Sequence, residues 1–138
     1  MAANDKSKMQ KIVFIDDDEE MMTLLSLFLK KSGFEAIGAK SGPEGLALIE
    51  YERPDVVLLD IMMPGMDGWE VYQRMRADEI MRTIPVIVVT CKAQAIDKVL
   101  ALNIAKVNDY ITKPFTPTLL NESINKVLAV SYKGKQKT

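Results

Sequence analysis

Four short apolar runs, each ending in a residue able to do chemistry, constrain this chain more than any other feature. Ile12–Ile15 runs into Asp16-Asp17-Asp18, Val56–Leu59 into Asp60, Val86–Val89 into Thr90, and Tyr110–Thr112 into Lys113. The first three are rich in β-branched residues and show no polar alternation, the pattern of strands buried on both faces. A weaker strand, Glu35–Ala39, belongs to the same series.

Helical periodicity fills the gaps between these runs. Met21, Leu24, Leu25, Phe28 and Leu29 share one helix face, with Lys30 and Lys31 at the negative end of the dipole and Gly33 as a C-terminal cap. Ser41 with Glu44, and Asp67 with Glu70, have capping-box spacing and open the second and third helices. A fourth helical stretch spans about Ala93 to Ile104 and carries Ile96, Val99, Leu100 and Ile104. The fifth starts with Thr116 as N-cap and Pro117 at the first helical position, then repeats Leu120, Ile124, Val127 and Leu128. Alternating strands and helices imply a parallel sheet covered on both faces.

Composition narrows the chemistry. The chain has 138 residues, 18 Lys+Arg against 19 Asp+Glu, no histidine and a single cysteine, Cys91. Absence of histidine removes Ser-His and Cys-His catalysis, His-zinc sites and phosphohistidine formation within the chain. One cysteine excludes an internal disulfide and suits a reducing compartment. A net charge of -1 gives no global field for nucleic acid. No apolar run is long enough to span a bilayer, so a cytoplasmic protein without membrane or direct nucleic-acid partners is expected. Residues 11–130 read as one domain, between a frayed N-terminal 1–10 and a basic polar tail, 131–138, with Lys133, Lys135 and Lys137.

In a parallel sheet the carboxyl ends of all strands share one edge, where ligands bind as the strand order reverses. That edge collects Asp16, Asp17, Asp60, Thr90 and Lys113. Clustered carboxylates raise one another's pKa unless a cation joins them. An all-oxygen donor set suits Mg²⁺, which takes oxygens at about 2.0–2.1 Å. Lys113 is a point charge suited to phosphate. Metal, nucleophile, hydroxyl and ammonium together form a phosphoryl-transfer site.

Asp16-Asp17, Asp60-Ile61-Met62-Met63-Pro64-Gly65-Met66-Asp67-Gly68, Thr90 and Lys113-Pro114-Phe115 resemble the receiver domain of two-component response regulators, over about Lys11 to Val130. The resemblance implies a flavodoxin-like doubly wound five-stranded parallel sheet in order 2-1-3-4-5 with five helices. It implies that Asp60 is the phosphoacceptor, attacking a phosphohistidine on a sensor histidine kinase or phosphotransfer protein. Asp16, Asp17, Asp60 and the backbone carbonyl of Met62 would hold Mg²⁺, Asp16 through water. Thr90 would hydrogen-bond a phosphoryl oxygen and Lys113 would pair with its charge. Lys113-Pro114 would be a cis peptide, and Tyr110 the aromatic switch residue. The output would be a protein surface on the fourth helix, fifth strand and fifth helix, binding a downstream target or a second copy of the chain. The chain would catalyse only its own phosphorylation and dephosphorylation, and is not otherwise an enzyme.

Blander roles compete at several positions. Asp18 is best read as a helix cap, Cys91 as a small semi-buried side chain, Trp69 as a packing residue and the nine methionines as core and loop filler. Tyr110 is balanced between a packed strand tyrosine and a rotating switch. Three departures from the family pattern stand out. Cys91 follows Thr90 where Ala, Gly or Ser is usual, which narrows entry to the phosphoryl group. Lys106-Val107 replaces a frequent Gly-Ala and reshapes the junction before the fifth strand. Met62 and Lys92 fill variable positions that tune hydrolysis, and apolar Met62 implies a long-lived phosphorylated state. The rival readings are a receiver fragment of a larger DNA-binding transcriptional regulator, a Mg²⁺-dependent phosphatase lacking its second acid at Met62, and a receiver that takes no phosphate.

Overall fold

The computed structural model describes residues 9–136, with side chains as far as Ser131. Five strands alternate with helices: β1 Lys11–Ile15, α1 Glu19–Lys31, β2 Glu35–Ala39, α2 Gly42–Glu52, β3 Val56–Leu59, α3 Gly68–Ala77, β4 Val86–Thr90, α4 beginning at Ala95, β5 Asp109–Thr112 and α5 Pro117–Gln136. A 3-10 turn at Met81–Thr83 precedes β4. All strand pairs are parallel, in the order β2-β1-β3-β4-β5. The expected flavodoxin-like arrangement is therefore the observed one.

Alternate residues of each strand feed two cores. Val13, Ile15, Val57, Leu59 and Val88 face α2 and α3, where Ile49, Val71 and Met75 cover them. Ile12, Phe14, Leu58, Ile87 and Val89 face α1 and α5, covered by Leu25, Leu29, Leu120 and Ile124. The side-chain period of two in a strand requires both sets to be apolar when both faces are covered. Hence the unbroken apolar runs.

The caps form where the sequence places them. Asp18 accepts from the Glu20 N–H, Ser41 from Glu44 and Asp67 from Glu70, and Thr116 accepts from the Leu119 N–H. Gly33 follows α1 in the left-handed region, at φ 92.

The fourth helix departs from expectation. It is α-helical only over Ala95–Val99 and continues as a π-helical stretch over Leu100–Ala105. Ala101 is buried, while Ile96, Val99, Leu100 and Ile104 are exposed, Ile104 to 72%. Lys106 ends the helix in the left-handed conformation, at φ 67. The replacement of a frequent glycine thus lies at the position whose backbone favours glycine. α5 runs through Gln136, six residues past the boundary expected at 130. The expected frayed start and the last tail residues, 1–8 and 137–138, lie outside the described residues, as do the tail's lysine side chains.

Candidate phosphoryl-transfer site

β1 and β3 lie side by side and end level, so Asp16 and Asp60 emerge together at the carboxyl edge of the sheet. Both are buried, at 1% and 5% exposure. One ammonium joins them: Lys113 Nζ is 2.6 Å from Asp16 Oδ2 and 3.1 Å from Asp60 Oδ2. The remaining oxygens are held by backbone. Asp16 Oδ1 accepts the Asp18 N–H, and Asp60 Oδ1 accepts the Met62 N–H, each at 2.9 Å. These bonds fix both carboxylates before any ligand arrives.

The electrostatics follow from burial and from these partners. Burial pushes the Asp16 carboxyl above the ordinary range, against the pull of Lys113 and the Asp18 N–H, and the Asp60 charge adds to the rise. Burial alone would lower the Lys113 ammonium, but Asp16 and Asp60 outweigh it and hold it charged.

Asp17 is exposed, beside this buried pair. One carboxylate oxygen from each of Asp16, Asp17 and Asp60 can lie within 4.8 Å of the others. Such a set has three hard oxygen donors and no nitrogen or sulfur, which fits Mg²⁺ chemistry.

Thr90 ends β4 fully buried, and its carbonyl accepts the Lys113 N–H at 2.8 Å. Lys113-Pro114 is cis, as the resemblance implies. Tyr110 on β5 is buried and packed inward, its hydroxyl donating to the Lys92 carbonyl at 2.8 Å. Burial, with the charges of Asp97 and Asp60, raises its phenol pKa. Trp69 packs edge-on against Tyr72 at 6.2 Å between ring centroids.

One expectation is corrected. Cys91 is exposed, not semi-buried, because β4 stops at Thr90 and Cys91 is the first residue of the loop beyond the sheet. The reading of Asp18 as a cap holds, which leaves it outside the acidic cluster.

Two supports of the site escaped the sequence. Gly68, the first residue of α3, is pressed against the backbone after β3: a Cβ there would lie 2.5 Å from the Ile61 Cα and 2.9 Å from the Asp60 carbonyl carbon. The Asp67-Gly68 pair hinted at a cap, but not at this approach. The second is the Tyr72 hydroxyl, which donates to the Ala105 carbonyl at 2.7 Å and ties α3 to the end of the fourth helix.

Comparison with known proteins gives a consistent answer. Residues 12–125 match the family described as response regulator receiver domain. The chain is 40% identical over 119 residues to the alkaline phosphatase synthesis transcriptional regulatory protein PhoP of Bacillus subtilis, covering 86% of this chain and 48% of that protein. It thus spans about half the length of that relative. It is 40% identical over 121 residues to Protein PilH of Pseudomonas aeruginosa, covering 88% of this chain and 99% of that one. Among solved structures, the receiver domain of a sensor histidine kinase from Pseudomonas aeruginosa PAO1, with a magnesium ion coordinated in its active site cleft, matches with a TM-score of 0.80. Identity there is 27%, over 88% of this chain and 98% of that one.

Proposed function

Because this chain belongs to the response regulator receiver domain family of two-component systems, we propose that Asp60 accepts a phosphoryl group from the phosphohistidine of a sensor kinase or phosphotransfer protein. The observation that carries this reading is the single ammonium of Lys113 bridging two buried carboxylates. Asp60 is held apart from solvent, with its Oδ1 oriented by the Met62 N–H and its other oxygen beside the Lys113 ammonium, as a nucleophile for covalent transfer requires.

In the transfer, an Asp60 oxygen forms the new P–O bond as the P–N bond to the partner imidazole breaks. The imidazole nitrogen keeps the electron pair and takes a proton from solvent. Asp16, Asp17, Asp60 and the Met62 carbonyl would hold Mg²⁺, which neutralises charge on the phosphoryl oxygens when bound. Lys113 then exchanges its Asp60 contact for a phosphoryl oxygen, and the Thr90 hydroxyl donates to another. Outside this self-modification the chain would carry no activity.

The output is a shift in an existing conformational equilibrium. Thr90 moves toward the phosphoryl group, and Tyr110, already inward with its hydroxyl on the Lys92 carbonyl, packs into the space that Thr90 leaves. The surface altered is the fourth helix, β5 and α5, where Ile96, Val99 and Leu119 are exposed. We assign to it a downstream protein or a second copy of the chain, in the cytoplasm. Among the described residues no helix is long and apolar enough to cross a membrane.

The test is incubation with Mg²⁺ and a small acyl phosphate, read by intact mass. One phosphoryl group should be gained, and lost both with EDTA and in Asp60→Asn. No gain in the parent protein, or an equal gain in Asp60→Asn, overturns the reading.

A further inference from the structure

The edge of the sheet opposite the acidic site holds a second charged cleft. It lies at the amino ends of β4 and β5, has a volume of about 230 Å³, and is lined by Arg76, Arg82, Lys106, Thr83, Asn108 and Ser131 among others. Three of these are cations and no carboxylate lines the cleft. Among the described residues none of the three cations lies within salt-bridge distance of an acid. Asp78, between Arg76 and Arg82 in the chain, accepts the N–H groups of Ile80 and Met81 on its Oδ1 and makes no ion pair with either arginine. In a chain whose net charge is -1, three unpaired cations round one depression are a product of the fold rather than of composition.

Several groups are already oriented. Arg76 sits over the Tyr72 ring, 5.9 Å from its centroid. Asn108 accepts the Val86 N–H on its carboxamide oxygen at 2.9 Å, which leaves its NH₂ as a donor. Lys106 holds a left-handed backbone conformation that a glycine would adopt without strain. The lysine there brings a cation to the cleft at a conformational cost.

We infer that this cleft binds a phosphate group carried on a small ligand or a lipid headgroup. Arginine forks pair with phosphate bidentately and lysine adds a point charge. Three cations match the charge of a phosphate, about -1.5 to -2, better than that of a lone carboxylate. The volume falls below the range of about 300–1,000 Å³ usual for drug-sized ligands, so a headgroup is held rather than a whole large molecule.

The test is a titration of the full ¹⁵N-labelled chain with inorganic pyrophosphate in EDTA, which leaves the acidic edge without Mg²⁺. The amides of Thr83, Lys106 and Asn108 should shift and saturate, and Kd should rise about tenfold in Arg82→Gln and in Lys106→Gly. Both residues are exposed, so the variants keep the fold. Sedimentation with phosphatidylcholine vesicles, with and without phosphatidic acid, separates the two sources. Binding to pyrophosphate supports the free anion. Binding only to phosphatidic acid vesicles, lost in both variants, supports the headgroup. Shifts confined to Thr90 and Lys113, variants that bind like the parent, or binding to neither probe overturn the inference.

Discussion

Gly68 donates its N–H to the Ile61 carbonyl at 3.4 Å, and a Cβ on it would lie 2.5 Å from the Ile61 Cα. The start of α3 is therefore seated on the segment that carries Asp60. Because the atoms in the way are backbone, they cannot rotate aside as a flexible side chain would. Gly68→Ala should destabilise the protein by about 1–3 kcal/mol, the usual cost of overpacking. It should also slow phosphoryl acceptance by moving the Asp60 loop. Urea unfolding and the rate of mass gain check both effects, and an unchanged midpoint contradicts the close approach.

Lys113→Met removes the one ammonium between Asp16 and Asp60 and leaves two buried carboxylates facing each other. Breaking a buried pair of this kind costs about 3–5 kcal/mol. Unfolding should shift to lower urea, and added Mg²⁺ should restore part of the loss by supplying a cation to the same oxygens. Phosphoryl acceptance should fall even where the fold is restored, because the ammonium proposed to pair with the phosphoryl group is gone.

Lys106→Gly should stabilise the protein. A left-handed residue with a Cβ costs roughly 1–2 kcal/mol, partly offset by the greater freedom of glycine in the unfolded chain. A gain of about 0.5–1 kcal/mol is expected, or roughly 3 °C in Tm for a chain of this size. Thermal unfolding reads it directly.

Asp109 makes its own contribution to the pH dependence of stability. Burial alone would raise its carboxyl, but the Ser123 hydroxyl, the Tyr110 N–H and the Lys126 ammonium outweigh it and hold the pKa below the ordinary value. A depressed carboxyl adds stability above its unfolded pKa, about 3.9, and loses it as pH falls through the folded value. Ser123→Ala should cost about 1 kcal/mol at pH 7. That difference should close below about pH 3.9, as seen in urea midpoints at pH 7 and in acid.

Met62 is exposed beside Asp60 and has no side-chain group able to orient a water. Met62→Asn should shorten the life of the aspartyl-phosphate by up to about tenfold, or ~1.4 kcal/mol of barrier. Decay of the phosphorylated mass after donor removal measures it, and an unchanged rate rules out this role for Met62.

Much of this was legible in contiguous residues. The apolar runs marked the strands because both faces of β1, β3 and β4 are covered. The residues ending those runs marked the site because a parallel sheet sends all carboxyl ends to one edge. Caps such as Asp18, Asp67 and Thr116 were readable because their bonds span only two or three residues. The fourth helix was less legible, because its apolar stripe at helical spacing looks the same whether it faces a core or solvent.

What the sequence determined by itself is thus the order of elements and the set of groups delivered to one edge. Only the tertiary structure decided that Lys113 bridges Asp16 and Asp60, that Gly68 rests on Ile61, that Ile104 faces outward, and that Arg76, Arg82 and Lys106 gather at the far edge. The difference is physical. Periodicity and capping act between near neighbours in the chain, whereas Lys113 and Asp16 are 97 residues apart and meet only because the packed sheet brings their strands to one end.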